Sequence, residues 1–187
     1  MFALLFPGQG SQSIGMLSEL AQQSKCVQEI FSQASDTLHY DLWDLTQNGP
    51  AEKLDQTEFT QPALLAADIA VWECWKHFGG KNPQFVAGHS LGEYAALVCA
   101  EAIEFQDAIS LVCLRGKYMQ SAVAKEAGAM AAIVGLEDHQ VEELCKNAAN
   151  SGIVSPANYN SIGQIVIAGE TLAVEKVRFK FQLSDRR

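Results

Sequence analysis

The amino-acid sequence predicts an α/β protein in which a parallel sheet is followed by a small α+β subdomain, incomplete at the C-terminus. Two short apolar runs, residues 2–6 and 84–87, each lead into a glycine-containing loop, which is typical of buried parallel strands. Longer segments have helical apolar spacing, and the order of predicted elements changes after Gly128. These observations divide the chain into a large α/β part, residues 1–126, and a small part, residues 127–187.

The first half of the large part contains one strand and two helices. The strand over residues 2–6 runs into the loop of residues 7–12. One helix is predicted over residues 24–37. A second is predicted from Pro62, because proline suits a first helical position and apolar residues then recur at helical spacing.

The second half of the large part contains a strand and two further helices. The strand over residues 84–87 is followed by a tight turn and an alanine-rich helix over residues 93–102. A long helix begins at Phe105. Its apolar residues fall within one arc of a helical wheel, which predicts that it packs along one face; they are Ile109, Val112, Gly116, Met119 and Val123.

The small part has the element order β-α-β-β-α, which is most of a ferredoxin-like unit lacking its last strand. The predicted segments are a strand over residues 129–134, a helix over 137–149, strands over 153–157 and 164–168, and a helix opening at Thr171.

The composition narrows the classes of partner. The 187 residues include 13 Lys and Arg against 22 Asp and Glu, a net charge of -9, which argues against nucleic-acid binding and against an anionic membrane surface. The five cysteines form no C-x-x-C pair, which indicates reduced thiols and no zinc site. The first apolar run is too short for a secretory signal or a membrane span. We expect a cytoplasmic monomer without a bound metal.

The motif Gly88-x-Ser90-x-Gly92, between a strand and a helix, is typical of a nucleophile elbow on a hydrolase-like parallel sheet. Ser90 must occupy a strained turn to project its hydroxyl, and glycines leave room where strand and helix meet. The N–H of Leu91, at the start of the helix, is a candidate oxyanion-hole donor. The alternative is a glycine-flanked structural turn.

Several ordered motifs resemble the malonyl-CoA:acyl-carrier-protein transacylases of fatty acid synthesis and the related acyltransferase domains. The resemblance extends from Met1 to about Val177. It rests on residues 6–12 (FPGQGSQ), 60–63 (TQPA), 88–93 (GHSLGE), 115–116 with 119–120 (RG and MQ), 128–131 (GAMA) and 158–164 (NYNSIGQ).

This resemblance implies roles for four residues. Ser90 attacks the malonyl thioester of coenzyme A, holds the malonyl group as an ester and releases it to the thiol of an acyl carrier protein. The backbone N–H groups of Gln9 and Leu91 form the oxyanion hole, and Arg115 grips the malonyl carboxylate through its guanidinium fork. The implied substrate is a coenzyme A thioester, with no further cofactor.

Five other residues are candidates for the substrate cleft, each with a structural alternative. Gln61 and Asn160 match polar cleft residues of the family but are also suited to capping or loop roles. His89 is a candidate wall or structural residue, because consecutive residues of a tight turn point in different directions. Met119 and Met130 are candidates for either the core or the pocket lining.

The sequence also departs from the family. Nothing corresponds to the family's catalytic histidine, residues 178–187 do not resemble it, and Ile162 stands where the family usually has proline. We therefore expect a truncated or frameshifted chain and, at best, slow acyl transfer, since a general base contributes about 10²–10⁴-fold. Two alternatives stay open: a serine hydrolase or thioesterase with the same turn, and an inactive truncated product.

Overall fold

A computed structural model describes residues 2–122 and 127–184, with the side chains of 182–184 left aside. The chain divides into two compact units, Met1–Ala122 and Val123–Arg187, and each is described by itself. The division predicted between residues 126 and 127 stays a prediction, because residues 123–126 lie outside the described ones. Helices and sheets occur together, which confirms the α/β class.

The first unit contains, within residues 2–122, two strands and seven helices. They are β1 (Ala3–Phe6), α1 (Ser18–Gln23), α2 (Cys26–Leu38), α3 (Leu42–Asn48), α4 (Ala51–Leu54), α5 (Thr57–His77), β2 (Phe85–Gly88), α6 (Gly92–Cys99) and α7 (Phe105–Ser121). Strands β1 and β2 pair in parallel, with Ala3 opposite Phe85 and Phe6 opposite Gly88. This pairing places the loop after β1 beside the turn after β2.

Helix α5 lies at the centre of the first unit. Apolar side chains surround it on nearly every side, as expected for a helix that is buried within a core. It packs against α2 and α7, and the three helices supply most of the core. The largest fully buried apolar side chains of this core are Phe31, Leu42, Leu54, Leu65, Ile69, Leu91 and Ile109.

The predicted start of α5 at Pro62 is wrong, because the helix begins at Thr57 and Pro62 lies in its interior. The preceding turn is held by the hydroxyl of Thr60, which donates to the carbonyl oxygen of Leu54 at 2.6 Å. Pro62 has no N–H to donate to the carbonyl of Glu58, so the helix lacks one backbone hydrogen bond at this point. The helix nevertheless continues, because the residues around Pro62 are buried and pack tightly.

The second unit is a three-stranded antiparallel sheet with two helices within residues 127–184. Its elements are β3 (Gly128–Val134), α8 (Asp138–Ala148), a short 3₁₀ turn (Ala149–Ser151), β4 (Val154–Ser161), β5 (Gln164–Glu170) and α9 (Thr171–Ser184). The strand order is β3-β5-β4. The buried apolar side chains of its core come from both helices and two strands: Ile133, Val141, Ile165, Ile167, Val174 and Val177.

The helix predicted to open at Thr171 is α9, which continues past Val177 to Ser184. Residues 178–184 contain neither glycine nor proline, so nothing in the backbone interrupts the helix. Arg178 pairs with Glu175 one turn earlier, and Phe181 packs against the core of this unit.

No helix within residues 2–122 and 127–184 has the length and apolar character that a membrane crossing requires.

Candidate active site

The turn between β2 and α6 places Ser90 in an unusual backbone conformation. Its φ is 55°, in the left-handed region that residues with a Cβ adopt only at a cost. The flanking glycines make the turn possible. A Cβ on Gly88 would lie 2.0 Å from the carbonyl carbon of Gly92, and a Cβ on Gly92 would lie 2.2 Å from the carbonyl oxygen of Phe6.

Backbone hydrogen bonds tie this turn to β1 and close it onto α6. The N–H of His89 donates to the carbonyl of Phe6 at 3.1 Å, and the N–H of Gly92 donates to the carbonyl of His89 at 3.0 Å. The side chain of Leu91 is buried at 1% exposure and anchors the turn in the core. Ser90 itself is exposed, so its hydroxyl is accessible to a ligand.

Arg115, on α7, is directed at Ser90. Its Nη2 donates to Ser90 Oγ at 2.9 Å, and its Nη1 donates to Gln61 Oε1 at 2.7 Å. The guanidinium carbon also lies 5.9 Å from the centre of the Tyr94 ring, within cation–π range. Three neighbours therefore hold one partly buried cation beside the serine hydroxyl.

Gln61 lies in the first half of α5 with 0% exposure. Its Nε2 donates to Gln9 Oε1 at 3.0 Å and lies 3.1 Å from Met119 Sδ. Together with the bond from Arg115, these contacts connect the loop after β1, helix α5 and helix α7.

A close approach of two helices sets the position of Arg115. Gly116, the next residue of α7, packs so tightly on α5 that a Cβ there would lie 2.7 Å from Glu58 Cα and from the carbonyl oxygen of Thr57. The Gln120 side chain lies farther along the same face and accepts from Thr57 N–H at 3.4 Å. Glycine at 116 thus brings the Arg115 backbone close to α5.

The loop that carries Gln9 is held at both ends. Gln12 Oε1 accepts from the N–H of Gly10 at 3.0 Å, and Gln12 Nε2 donates to Asp55 at 3.0 Å. On the other side, a Cβ on Gly8 would lie 3.3 Å from His89 Nδ1, so the loop passes directly over the Ser90 turn.

The structure brings together most of the predicted site residues of the first unit. Ser90, Arg115, Gln61, Gln9 and Met119 form one connected cluster. His89 and Leu91 flank Ser90 in the turn. Met119 is 48% exposed, so it is a surface residue of this cluster and not a core residue.

Met130 and Asn160 belong to the second unit, on β3 and β4 respectively. Both are exposed, so Met130 is not a core residue there either, and Asn160 makes a contact of its own. Their assignment to a substrate cleft stays a prediction.

Sequence reasoning missed Tyr94 and undervalued Gln61. Tyr94 lies in the first turn of α6, four residues after Ser90, so its nearness to the Ser90 turn could have been inferred from the sequence. The connection of Gln61 to both Gln9 and Arg115 joins residues more than 50 positions apart, with sequence separations of 52 and 54, and no local pattern reports it.

Two strongly shifted ionisable groups lie in α5 and at the end of α6. Burial raises the pKa of the Asp68 carboxyl to about 7, and burial, the largest of several influences, raises the pKa of the Cys99 thiol to about 12. Neither residue takes part in the cluster of contacts around Ser90, so they bear on stability and thiol reactivity.

The Acyl transferase domain family matches residues 3–185, nearly the whole chain. The chain belongs to the acyl transferase domain family. The match extends past Val177, the point at which the sequence motifs ceased to resemble the family, and it includes all of α9.

Among curated acyl transferases, the chain is similar to the malonyl CoA-acyl carrier protein transacylases. It is 56% identical to the one from Salmonella typhimurium over 175 residues, which covers 94% of this chain and 57% of that protein. The Bacillus subtilis relative is 47% identical over 174 residues, covering 92% of this chain and 55% of that protein.

Solved structures of such transferases have the same fold. The malonyl CoA-acyl carrier protein transacylase of Coxiella burnetii superposes with a TM-score of 0.93 at 55% identity, covering 98% of this chain and 58% of that one. A malonyl-transacylase solved in complex with its type II PKS acyl-carrier protein superposes with a TM-score of 0.91 at 54% identity, covering 98% and 59%. The chain thus spans a little under three fifths of these relatives.

Proposed function

We propose that this acyl transferase chain carries the part of a malonyl-CoA:acyl-carrier-protein transacylase active site that accepts the acyl group. Ser90 is the proposed nucleophile and Arg115 the proposed carboxylate-binding residue. The observation that carries the proposal is the 2.9 Å contact between Arg115 Nη2 and Ser90 Oγ. A malonyl thioester has its reacting carbonyl and its free carboxylate in one short acyl group. A guanidinium beside the nucleophile therefore suits a substrate whose free carboxylate lies close to the thioester carbonyl that Ser90 attacks.

In the proposed reaction, Ser90 Oγ attacks the thioester carbonyl carbon of malonyl-CoA. The carbon–sulfur bond breaks, the hydroxyl proton ends on the departing coenzyme A thiol, and the malonyl group remains as an ester on Oγ. The thiol of an acyl carrier protein then attacks this ester, and the proton of that thiol returns to Oγ. The transfer needs no redox or metal cofactor, because every bond change is an acyl exchange.

Backbone N–H groups of Gln9 and Leu91 are the proposed oxyanion donors. Leu91 directly precedes α6, whose N-terminal end favours negative charge. The backbone hydrogen bonds described for this turn are donated by the N–H groups of His89, Gly92, Glu93 and Tyr94, and Leu91 is not among the donors. The Gln9 loop passes over the turn through Gly8, which supports a donor from each side of the serine.

The fold supports the same interpretation at a finer level. A parallel β1–β2 pair, the positive φ of Ser90 and the two crowded glycines are features of a nucleophile elbow on a hydrolase-like sheet. In the second unit, the β3-β5-β4 order with two helices is that of a ferredoxin-like unit without its fourth strand. We propose both assignments together with the activity.

The names of the relatives support malonyl as the acyl group and an acyl carrier protein as the partner, since the curated proteins at 56% identity are malonyl CoA-acyl carrier protein transacylases. One structural relative was solved with its acyl-carrier protein bound.

The test is the intact mass of the chain after incubation with malonyl-CoA. We expect a single malonyl adduct on the parent and none on Ser90→Ala. Ser110→Ala, which removes an exposed hydroxyl on α7, is the matched control and should keep the adduct. Adding a thiol-bearing acyl carrier protein should discharge the ester and leave malonyl on the carrier.

Two results would contradict the proposal. A folded parent that gains no adduct has the family's fold without its chemistry. An adduct that is released as free malonate at the same rate with and without carrier protein indicates a hydrolase or thioesterase, the alternative that shares the turn.

A further inference from the structure

Gln61 is the buried link between the two ends of the site. We propose that it is a positioning residue that couples Arg115 to Gln9, so that the carboxylate-binding group and the proposed oxyanion loop hold their orientations together. The inference rests on the proposed function for what the two ends do, and on three contacts for the coupling itself.

The direction of these hydrogen bonds is decided by chemistry. A guanidinium has only donors, so the Gln61 atom facing Arg115 Nη1 at 2.7 Å must be the amide oxygen. The other end of the amide is then Nε2, which must face an acceptor, and Gln9 Oε1 lies 3.0 Å away. This orients the Gln9 amide in turn, leaving its Nε2 directed away from Gln61. The charge of Arg115 therefore determines the orientation of two amides in sequence.

Burial makes this arrangement rigid. Gln61 is 0% exposed, so water cannot replace a lost partner, and a buried amide without its partners costs about 1–3 kcal/mol. Nε2 also lies 3.1 Å from Met119 Sδ, which accepts its second hydrogen, so both N–H groups of the amide have a partner. A flipped amide would put Nε2 against the guanidinium, two donors facing one another.

The alternative is that Gln61 fills space and that its contacts have no effect on Arg115. The two interpretations differ in what a change at Gln9 does. Gln9 is exposed, and its side chain is linked to Arg115 through Gln61, so the loss of the Gln9 side chain reaches Arg115 through this chain of contacts. A space-filling Gln61 would leave Arg115 indifferent to Gln9.

The experiment measures the rate at which phenylglyoxal modifies Arg115, followed by peptide mass spectrometry in the absence of any acyl substrate. Gln61→Met, of similar length and without polar ends, should raise this rate about tenfold, the effect of losing one hydrogen bond to a charged group. Gln61→Glu keeps an acceptor for Arg115 and should react no faster than the parent. Gln9→Ala should raise the rate measurably.

Gln106→Leu is the matched control, because Gln106 also lies on α7 and its side chain bonds another glutamine, Gln33, at 3.0 Å outside the cluster. It should leave Arg115 unchanged. Equal modification rates in the parent and in Gln9→Ala would overturn the coupling. Because Gln9 is exposed, this variant folds even where a change at buried Gln61 does not.

A second readout connects the inference to acyl selection. In the mass assay, Gln61→Met should lower the ratio of malonyl to acetyl ester on Ser90 by about tenfold, while Gln106→Leu keeps it. If Gln61→Met speeds Arg115 modification but leaves the ester ratio unchanged, the coupling does not act on acyl selection. That result would overturn the functional part of the inference. A parent without any adduct contradicts the proposed function, and the modification rates still decide the coupling.

Discussion

Arg115 Nη2 donates a hydrogen bond to Ser90 Oγ across 2.9 Å. Since a guanidinium only donates, the serine oxygen accepts and its own proton is left for another acceptor. A carboxylate is a better acceptor for the same guanidinium than a neutral hydroxyl is. In the proposed reaction, the malonyl carboxylate is therefore expected to take the Nη2 hydrogen bond from Ser90, which leaves the serine oxygen available for attack.

Arg115→Ala should slow formation of the malonyl ester by about 10–100-fold, since a charge-assisted hydrogen bond contributes about 1.5–3 kcal/mol. Ester formation from acetyl-CoA should change little or increase. Stopped reactions with each thioester, compared by intact mass, give both rates. Arg115→Lys keeps the charge without the fork, so its rate of malonyl-ester formation should lie between the rates of the parent and of Arg115→Ala. Equal losses with both acyl groups would count against a carboxylate-binding role.

Gly92→Ala should destabilise the first unit by about 3 kcal/mol, because the new Cβ would lie 2.2 Å from the carbonyl oxygen of Phe6, where neither backbone can yield cheaply. Urea unfolding measures the change in the free energy of unfolding. Gly8→Ala is the control on the neighbouring loop, where the nearest atom lies 3.3 Å away, and its effect should be much smaller. Similar midpoints for both variants would contradict the packing account.

Gly116→Ala should weaken the contact between α5 and α7 by about 1–3 kcal/mol, since its Cβ would come within 2.7 Å of backbone atoms of Thr57 and Glu58. The displaced α7 should also pull Arg115 from Gln61, so its modification by phenylglyoxal should accelerate. Lys117→Ala, at the next and exposed position, controls for the loss of a helix side chain and should affect neither measurement. A Gly116→Ala variant with the stability of the parent and an unchanged rate of Arg115 modification would contradict this account.

Stability should fall as pH rises from about 4 to about 7, because of Asp68. Burial raises the pKa of its carboxyl to about 7 in the folded chain, above the value of 3.8 that it has when free. In this interval the folded chain binds more protons than the unfolded chain, so each increase in pH favours unfolding. Above about pH 7 both states are ionised and the contribution is constant. Asp68 therefore destabilises the folded chain least when its carboxyl is neutral.

Asp68→Asn should flatten this dependence and raise the melting temperature at pH 8 relative to the parent. Melting temperatures from pH 4 to pH 8 test it. Asp36→Asn, at an exposed position on α2, should leave the slope as it is. A melting profile for Asp68→Asn that parallels the parent at every pH would show that another group is responsible.

The positions of most elements could be predicted from the sequence because they depend on local patterns. The strands at β1 and β2, the helix beginning at Phe105 and the order of elements in the second unit all follow from apolar spacing and turn residues. The start of α5 was missed because the rule for proline is local. Pro62 is tolerated inside the helix through packing with other parts of the chain.

The candidate site divides in the same way. Ser90 is marked by its own neighbours, since the crowding around Gly88 and Gly92 leaves a recurrent signature in five consecutive residues. Arg115 has no such signature, and the resemblance to a family suggested it. Its place beside Ser90 depends on how closely α5 and α7 approach at Gly116.

The sequence by itself therefore determined the α/β class, the turn that carries Ser90 and the family, because each depends on short stretches whose geometry neighbouring residues dictate. Only the tertiary structure decided that Gln61 is buried between Gln9 and Arg115, and that one guanidinium reaches both Gln61 and Ser90. Hydrogen bonds between residues far apart in sequence form once the helices have packed, and the direction of each bond follows from which atoms that packing leaves facing one another.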